Sequence, residues 1–332
     1  MTKDFLAGKV VLVTGGTGSF GRAFVSELLK QKIKKVIVFS RDEWKQSVMQ
    51  KEFTDPRLRF FLGDVRDLPR LERAFAGVDI VVHAAALKQV PTLEYNPFEA
   101  VKTNIVGSQN VIDAAIDCGV EKVLLISTDK AAQPVNLYGS TKLCAEKLFV
   151  SGNAYSVGKT KLSCVRYGNV IGSRGSIVEV LLKTKDTGVV HITDERMTRF
   201  WIDLNGAIEL VMYALEQMIG GEIFVPKIPS MKLTDLFDAL VPHAKRRVTG
   251  IRPGEKIHEM LVTESESSHA VELSKYFVIL PEHHELYDTE KRFKKFIEKG
   301  KKLPHGFTYM SDTNTQQLTK EKFARFVKVK ES

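Results

Sequence analysis

The sequence predicts an α/β protein built on a doubly wound, mainly parallel β-sheet. Three observations support this prediction. Short apolar runs alternate with longer helical patterns over the first 170 residues. The runs are continuously apolar, as in strands that helices cover on both faces. The first run ends in a glycine-rich turn that leads into a helical pattern, which is the arrangement that binds phosphate groups in such folds.

Six strands are predicted in this first part of the chain. They cover residues 9–14, 35–39, 58–62, 78–83, 122–127 and 161–166. A helix is predicted over residues 22–30, directly after the glycine turn. Because ligands of doubly wound folds bind beyond the carboxyl ends of the strands, the residues that follow each strand are the candidates for binding and catalysis.

The alternation weakens after about residue 170. A late strand is predicted at 220–225, a short amphipathic helix at 233–240 and another strand at 277–280, and the rest of this region is polar and irregular. We therefore divide the chain into a nucleotide-binding domain, residues 1–170, and a smaller substrate-binding region, residues 171–332. Some segments of the second region are expected to return to the sheet.

The composition is that of an ordinary globular protein. Of the 332 residues, 43% are hydrophobic and 27% are charged, which excludes a disordered chain. No apolar run reaches the roughly 18 residues that a membrane span needs, and the N-terminus lacks a signal-peptide pattern. The three cysteines, Cys118, Cys144 and Cys164, are too widely spaced for a disulfide framework or a zinc site. We expect a cytoplasmic protein with no membrane partner and no metal.

The net charge of +9 is concentrated near the C-terminus. Residues 291–302 hold seven basic residues and one acidic residue, whereas the first 290 residues carry 37 basic and 36 acidic residues. A nucleic-acid-binding protein would carry its basic surface on the folded body. We therefore expect no nucleic-acid partner, and the basic segment is interpreted as a solvated helix face on a C-terminal appendage.

The glycine turn predicts a dinucleotide cofactor. Gly15, Gly18 and Gly21 form a G-x-x-G-x-x-G pattern between a strand and a helix, where glycine allows close approach to a pyrophosphate. An acidic residue after the second strand would select NAD, but Ser40 and Arg41 stand there instead. Because a guanidinium suits a 2′-phosphate, the sequence favours NADP. Asp42 comes too late and is expected to cap the next helix.

The end of the fifth strand predicts a catalytic cluster. It reads Ser-Thr-Asp-Lys over residues 127–130, and Tyr138 and Lys142 follow four residues apart, on one face of a helix. Lys142 is expected to hold the cofactor ribose and to lower the pKa of Tyr138. Tyr138 would then accept a proton from a hydroxyl whose carbon loses a hydride.

These motifs resemble the extended short-chain dehydrogenase/reductase superfamily, which has the Rossmann fold. The glycine turn, G-D-V-R-D at 63–67, H-A-A-A-L-K at 83–88, N-x-x-G at 104–107 and Y-x-x-x-K carry the resemblance. The Asp129–Lys130 pair is similar to that of inverting UDP-N-acetylglucosamine 4,6-dehydratases, and segments 197–201, 224–229 and 252–259 agree with the same family. C4 epimerases usually have only Ser or Thr at this place, and retaining dehydratases an Asp-Glu pair.

The resemblance implies a reaction and a pathway. Tyr138 would act at C4 of UDP-N-acetylglucosamine, Lys130 would remove the C5 proton, and Asp129 would protonate the departing 6-hydroxyl. Hydride would return to C6, and C5 would be reprotonated from the other face. Because a lysine base must be neutral, the pKa of Lys130 is expected to be depressed. The family further implies pseudaminic-acid biosynthesis for flagellin glycosylation and a homo-oligomer, a hexamer in its relatives.

The predicted site residues fall into three groups. The catalytic residues are Asp129, Lys130, Tyr138 and Lys142. The residues expected to bind NADP, beyond Tyr138 and Lys142, are Gly15, Thr17, Gly18, Ser19, Phe20, Gly21, Ser40, Arg41, Lys45, Asp64, Val65, Ala84, Lys88, Thr103 and Val170. The residues expected to bind the UDP-sugar are Lys88, Asp129, Asn169, Arg174, Thr193, Arg199, Arg252 and Glu255.

Two other readings stay open on the sequence alone. One is a C4 epimerase, or a related dehydratase or epimerase, that acts on a UDP-sugar. The other is a catalytically inactive regulator that senses a dinucleotide. Such regulators typically lose the Tyr or the Lys of the catalytic pair, and this chain keeps both Tyr138 and Lys142.

Overall fold

The computed structural model describes residues 5–156, 158–173, 175–183, 188–282 and 289–328. Its strands are β1 (Val10–Thr14), β2 (Lys35–Ser40), β3 (Leu58–Leu62), β4 (Ile80–His83), β5 (Lys122–Thr128), β6 (Lys161–Tyr167), β7 (Asn169–Val170), β8 (Val189–Ile192), β9 (Thr198–Ile202), β10 (Ile223–Pro226), β11 (Ser230–Lys232), β12 (Lys245–Val248), β13 (Met260–Val262), β14 (Ala270–Glu272), β15 (Tyr276–Ile279), β16 (Lys301–Lys302) and β17 (Tyr309–Met310).

The helices alternate with these strands in the first half of the chain. They are α1 (Ser19–Leu29), α2 (Glu43–Glu52), α3 (Leu68–Phe75), α4 (Val90–Tyr95), α5 (Pro97–Ala100), α6 (Gly107–Asp117), α7 (Leu137–Gly152), α8 (Ile177–Lys183), α9 (Leu204–Gln217), α10 (Leu233–Leu240), α11 (Glu264–Ser267), α12 (Thr289–Arg292), α13 (Lys294–Lys299) and α14 (Lys320–Lys328). A π-helical turn, Val101–Val106, precedes α6, and a 3₁₀ turn, Asp129–Ala131, follows β5. No helix of the described segments has the length and apolarity needed to cross a bilayer.

The main sheet has ten strands within the described residues. Their order is β3-β2-β1-β4-β5-β6-β10-β15-β14-β16. The first seven strands of this order run parallel, and the last three pair antiparallel. The chain order reverses between β1 and β4, which opens a crevice at the carboxyl ends of the two strands.

Apolar side chains on both faces of the strands explain why the sheet is covered by helices. All five residues of β1 are buried, and β6 is buried from Leu162 onward. Helices α1 and α9 pack together on the sheet, and α3, α6 and α7 pack side by side as a second group. Parallel strands joined by right-handed crossovers place such groups on opposite faces.

The predicted strands agree closely with the observed ones. Each of the six early strands lies within two residues of its predicted bounds, and the helix predicted at 233–240 is α10. The predictions at 220–225 and 277–280 correspond to β10 and β15, which return to the main sheet. The description of the remaining C-terminal region as irregular was wrong, because several short strands and helices form there.

A second hydrophobic cluster lies in the C-terminal half of the chain. Its largest members are Trp201, Phe237 and Phe323, each almost completely buried. Two small sheets belong to this half, one of β11, β9 and β7 and one of β12 and β8. All buried members of this cluster lie at Ile171 or later in the chain. However, four strands of the same half, β10, β14, β15 and β16, belong to the main sheet. The division of the chain at residue 170 therefore stays a prediction.

The basic segment at 291–302 is part of the main body. Phe293 and Phe296 of this segment are buried in the main core, and β16 pairs with β14 at the edge of the main sheet. The ammonium group of Lys295 donates to the backbone carbonyl of Gln217 at the end of α9. The interpretation as an appendage was wrong, because Phe293 and Phe296, three residues apart, anchor the segment in the core, which the charge count alone does not reveal.

Candidate active site

A cleft of about 1530 Å³ opens beyond the carboxyl ends of the parallel strands. Its walls come from the loops after β1, β2, β3, β4, β5 and β6, and from β8, β9 and the segment before β13. Of the predicted site residues, all but two line this cleft. The exceptions are Asp129, which is completely buried behind the wall, and Arg174, which lies outside the described residues.

The glycine turn forms one end of the cleft. Gly15 has a φ of +66°, and a Cβ added to it would lie 2.8 Å from the backbone nitrogen of Ala85. A Cβ on Gly21 would lie 2.5 Å from Cα of Gly16. The turn therefore requires glycine at both positions, and it leads directly into α1, whose N-terminus carries a partial positive charge. This arrangement suits a pyrophosphate.

The residues at the end of β2 are the ones that would distinguish NAD from NADP. Asp42 is the N-cap of α2 and accepts the backbone N–H of Lys45 at 2.9 Å, as the sequence predicts. Ser40 accepts a hydrogen bond from Gln46 at 3.1 Å. The half-exposed guanidinium of Arg41 lies 3.6 Å from Asp64. The strand end thus presents a hydroxyl and a cation where an acidic residue would select NAD.

The cleft as a whole fits a dinucleotide together with a second ligand. Its volume exceeds the roughly 300–1,000 Å³ of common small-molecule pockets. The hydroxyls of Thr103 and Ser127 are buried at its wall and have no hydrogen-bond partner among the residues that the structure describes. Such groups fit a polar ligand, since buried polar atoms are normally paired.

The catalytic cluster forms where β5 ends and α7 begins. Asn136 caps α7 by accepting a hydrogen bond from the N–H of Gly139 at 2.8 Å. Tyr138 and Lys142 therefore lie in the first two turns of the helix, and both line the cleft. Burial raises the pKa of Tyr138 to about 12, and the positive charge of Lys130 opposes this shift. Burial lowers the pKa of Lys142 to about 8.

The expectation that Lys142 lowers the pKa of Tyr138 was wrong in this structure. The cation that acts on the tyrosine is Lys130, and the side chain of Thr128 also lowers the pKa of Tyr138. The Thr128 hydroxyl donates its proton to Oδ1 of Asp129 at 3.0 Å. Thr128 therefore connects the tyrosine with the acidic residue of the cluster.

Asp129 and Lys130 form an ion pair on the 3₁₀ turn. Nζ of Lys130 donates to Oδ1 of Asp129 at 3.0 Å, and Oδ2 of Asp129 is buried without a partner. Burial raises the pKa of Asp129, although the adjacent ammonium opposes this. Burial alone would lower the pKa of Lys130, but the carboxylates of Asp129 and Glu259 outweigh it and raise that pKa. The expected depression of the Lys130 pKa was therefore wrong for the protein alone.

Glu259 is the residue of the cluster that the sequence analysis did not select. Its side chain is 3% exposed, and Oε1 lies 3.3 Å from Nζ of Lys130. Arg199 lies 3.6 Å from the same oxygen and donates to the backbone carbonyls of residues 198, 256 and 257. These contacts occupy much of the Arg199 guanidinium. Arg199 therefore holds the segment that carries Glu259 in place, and it also lines the cleft.

The other residues predicted to bind substrate are spread around the same cleft. Burial lowers the pKa of Lys88, with a further contribution from the charge of Lys130. Thr193 contacts the sulfur of Met197 at 3.1 Å. The N–H of Arg252 donates to Glu255 at 3.4 Å, which places both residues on one short turn. Asn169 follows β6, in register with Trp201 of β9.

His83 has a structural role. It is completely buried, its Nδ1 lies 2.7 Å from the hydroxyl of Thr14, and its ring stacks on Phe149. Burial lowers its pKa to about 3, so it stays neutral. In the described residues, no three His, Cys, Asp or Glu side chains are grouped as a metal site would require.

The fold and the cleft define a dinucleotide-binding enzyme of the extended short-chain dehydrogenase/reductase type. The sequence matches the family described as polysaccharide biosynthesis protein over residues 11–281. It is 50% identical to UDP-N-acetylglucosamine 4,6-dehydratase (inverting) of Campylobacter jejuni over 315 residues, which cover 93% of this chain and 94% of the relative. The chain belongs to the family of inverting UDP-N-acetylglucosamine 4,6-dehydratases.

Two further comparisons define the neighbourhood of this family. A UDP-glucose 4-epimerase of Rickettsia conorii is 41% identical, with 94% of this chain and 93% of the relative covered. The crystal structure of Pen from Bacillus thuringiensis superposes with a TM-score of 0.88 at 39% identity, covering 98% of this chain and 99% of that one. The family thus lies close to nucleotide-sugar epimerases in sequence, and its fold extends over nearly the whole chain.

Glu259 and Thr128 illustrate what sequence reasoning missed. Thr128 had a signal, because it stands between a predicted strand and the Asp-Lys pair. Glu259 ends the segment 252–259 that resembles the family, but nothing local connects it with Lys130, which lies 129 positions earlier. The structure places Glu259 beside Lys130 because the segment before β13 lines the cleft next to the end of β5.

Proposed function

We propose that the protein dehydrates UDP-N-acetylglucosamine across C5 and C6 and inverts C5, with NADP as its cofactor. The relatives at about 50% identity carry this activity in their names. The observation that carries the proposal is the Asp129–Lys130 ion pair beside Tyr138, at the end of β5 and at the wall of the cleft. A plain oxidoreductase has no use for this additional acid–base pair.

The cofactor would occupy the part of the cleft between the glycine turn and Lys142. Arg41 would contact a 2′-phosphate, and the N-terminus of α1 would hold the pyrophosphate. Bound NADP supplies a hydride acceptor at one stage and a hydride donor at another. The remaining steps are proton transfers by side chains of the chain itself.

Tyr138 and Lys130 would act at neighbouring carbons of the sugar. Tyr138 would accept the proton of the C4 hydroxyl while the hydride of C4 leaves to the bound dinucleotide, and the resulting ketone acidifies the C5 proton. Lys130 would then remove the C5 proton, and Asp129 would protonate the 6-hydroxyl, which leaves as water. Return of the hydride to C6 and protonation of C5 from the opposite face would give the L configuration.

The ion pair can supply the neutral lysine and the protonated aspartate that these reaction steps need. Transfer of one proton from the Lys130 ammonium to the Asp129 carboxylate, over 3.0 Å, gives a neutral amine and a neutral acid. The raised pKa of Asp129 favours its protonated form. No outside proton donor is required to produce the base for C5 and the acid for C6 together.

The UDP moiety would occupy the C-terminal side of the cleft. Arg252, Glu255 and Asn169 line it there, and Arg174 is a further candidate by its position in the sequence. By relation to the family, the product would enter pseudaminic-acid biosynthesis, and the protein would act as a homo-oligomer in the cytoplasm. These assignments follow from the proposed activity and share its test.

The test is to incubate the purified protein with UDP-N-acetylglucosamine in deuterated water and to follow the sugar nucleotide by NMR and mass spectrometry. We expect loss of water, one deuterium at C5 and the L configuration of the ring. Conversion at C4 without loss of water would instead support the epimerase reading, which the Rickettsia relatives favour. Retention of the D configuration would contradict the inverting assignment.

A further inference from the structure

Glu259 is a buried carboxylate whose nearest charges are all cations of the candidate active site. Oε1 lies 3.3 Å from Nζ of Lys130 and 3.6 Å from Nε of Arg199, and Oε2 lies 4.0 Å from Nζ of Lys256. Within the described part of the chain, Oε2 has no hydrogen-bond partner. A buried carboxylate is costly unless it is paired, so its place beside three cations needs a reason.

The backbone of Glu259 is held more firmly than a surface loop would be. Its N–H donates to the hydroxyl of Ser311 at 2.9 Å, and its carbonyl accepts the N–H of Ser311 at 2.9 Å. The Ser311 hydroxyl is 2.6 Å from that of Thr198 on β9. Lys256 donates to the carbonyl of Ala132 at 2.6 Å, which ties the segment to the loop that follows the 3₁₀ turn. The carboxylate therefore has a fixed position relative to Lys130.

We propose that Glu259 is a positioning residue for Lys130, whose carboxylate holds the ammonium group beside Asp129 and sets how readily that group releases its proton. The inference rests on the proposed function, since it assigns Lys130 the removal of a proton. Glu259 itself does not have to touch the sugar. Its contribution is to fix the place and the charge state of the side chain that does.

The charged groups around Lys130 support this assignment. Asp129 of the same turn and Glu259 before β13 face it as anions, whereas Arg199 of β9, Lys88 after β4 and Lys256 face it as cations. Tyr138 of α7 completes the surroundings as a neutral group. With only two anions against three further cations, removal of the Glu259 charge should strongly favour loss of the Lys130 proton.

The Glu259 carboxylate also separates the roles of the two acidic residues. Arg199 and Lys256 stabilise its ionised form, so it remains charged while Asp129 is the better proton acceptor. A proton that leaves Lys130 would thus move to Asp129, the residue that must later give one to the 6-hydroxyl. Loss of the Glu259 charge should leave this direction intact but should free the lysine side chain to change its position.

The direct test measures the reactivity of the Lys130 amine in the purified full-length protein. Acetic anhydride acylates only neutral amines, and mass spectrometry reads the rate at each lysine. An opposite charge within about 4–6 Å shifts a pKa by about 1–3 units, so Glu259→Gln should speed the acylation of Lys130 at least about tenfold at a fixed pH. Lys9, at the far end of β1, serves as the internal reference.

The matched control is Glu272→Gln, which removes a carboxylate that pairs with Lys227 at 2.6 Å on β14. This variant should leave the labelling of Lys130 unchanged. An unchanged Lys130 rate in folded Glu259→Gln would overturn the proposal. If Glu259→Gln does not fold, Glu259→Asp decides, because it withdraws the carboxylate by one methylene group: faster labelling than in wild type supports the proposal, and an equal rate overturns it.

A second readout separates positioning from a merely structural role. The rate of C5 hydrogen exchange should rise with pH until Lys130 is neutral, and Glu259→Gln should move this rise to lower pH by at least about one unit. A structural role would lower the rate at every pH without moving the profile. If wild type does not act on the UDP-sugar at all, the proposed function fails, whereas the labelling result still reports on Glu259 and Lys130.

Discussion

The ammonium nitrogen of Lys130 lies 3.0 Å from Oδ1 of Asp129, the residue that precedes it in the chain. Adjacent residues of a strand would point to opposite faces of the sheet. The two side chains meet because β5 ends at Thr128 and the backbone continues as a 3₁₀ turn, whose first residue is Asp129. In the proposed reaction, the base for C5 and the acid for the 6-hydroxyl thus come from two consecutive positions.

Replacing Lys130 by Met should abolish dehydration and leave cofactor binding intact. The proton transfer that we assign to Lys130 is worth about 10²–10⁴-fold in rate, and the glycine turn that we propose as the cofactor site lies at another part of the cleft. Deuterium incorporation at C5, followed by NMR in deuterated water, should fall accordingly. Lys227→Met, distant from the cleft, should match wild type. Exchange at the wild-type rate in Lys130→Met would mean that another residue is the base.

Replacing Arg41 by Ala should weaken NADP binding more than NAD binding. The guanidinium is half exposed at the end of β2, and a charge-assisted bond to a 2′-phosphate is worth about 1.5–3 kcal/mol, or roughly 10–100-fold in affinity. Separate titrations with NADP and NAD measure the two losses. Arg59→Ala, a control on β3, should change neither affinity. Equal losses for both dinucleotides would show that Arg41 does not contact the 2′-phosphate.

Acid should destabilise the protein through Glu266. The fully buried Arg166 lies 2.7 Å from Glu266 and 2.6 Å from Glu146. Although burial opposes it, the bonds from Arg166 and Thr263 lower the pKa of Glu266 to about 2, from 4.5 in the unfolded chain. Because the folded pKa is the lower one, this stabilisation is complete above pH 4.5 and is lost as the pH falls towards 2.

The ionised Glu266 paired with Arg166 contributes of the order of 3 kcal/mol to the free energy of unfolding. Urea denaturation at a series of pH values should show the loss in wild type. Glu266→Gln should be less stable at pH 7 and should lose less on going to pH 3. A pH dependence of the same size in both proteins would exclude Glu266 as its source.

Replacing Phe293 by Ala should lower the free energy of unfolding by about 3–5 kcal/mol, the usual cost of a large core cavity. Phe293 is completely buried although it lies within the basic segment. The neighbouring Lys294 has a side chain that is 69% exposed, so Lys294→Ala should change stability by less than about 0.5 kcal/mol. Chemical denaturation measures both, and similar small effects would mean that the segment is not part of the core.

The burial of Phe293 also limits how the C-terminal segment can be studied. Removal of residues 291–332 would take away Phe293, Phe296 and Phe323, which are buried in the two hydrophobic clusters. A truncated protein should therefore unfold, and its mass in solution would say nothing about oligomerisation. Substitution of exposed lysines such as Lys294 is the better probe of a subunit contact.

The parts of the fold that local pattern determines were predictable from the sequence. The six parallel strands and α10 follow from apolar runs and helical periodicity, and the glycine turn follows from its spacing. The strand β14 and the edge strand β16 were missed, because three- and two-residue strands carry no pattern of their own. Their positions depend on pairing with residues far away in the chain, which only the folded protein shows.

The candidate site shows the same division. The residues directly after β1, β2 and β5 were found, because a parallel sheet brings strand ends together. The charge state of Lys130 was predicted wrongly, because it depends on Glu259, which tertiary structure places 3.3 Å away. Electrostatic neighbours from distant segments are the information that a linear pattern does not contain.

The strand order has a consequence for how the protein is made. During synthesis from the N-terminus, β6 has emerged long before β10, the strand that later pairs with its open edge. Until residue 226 leaves the ribosome, this apolar strand edge stays unpaired, and such edges invite pairing with other chains. We expect nascent or truncated forms that end near residue 170 to aggregate unless a chaperone covers β6.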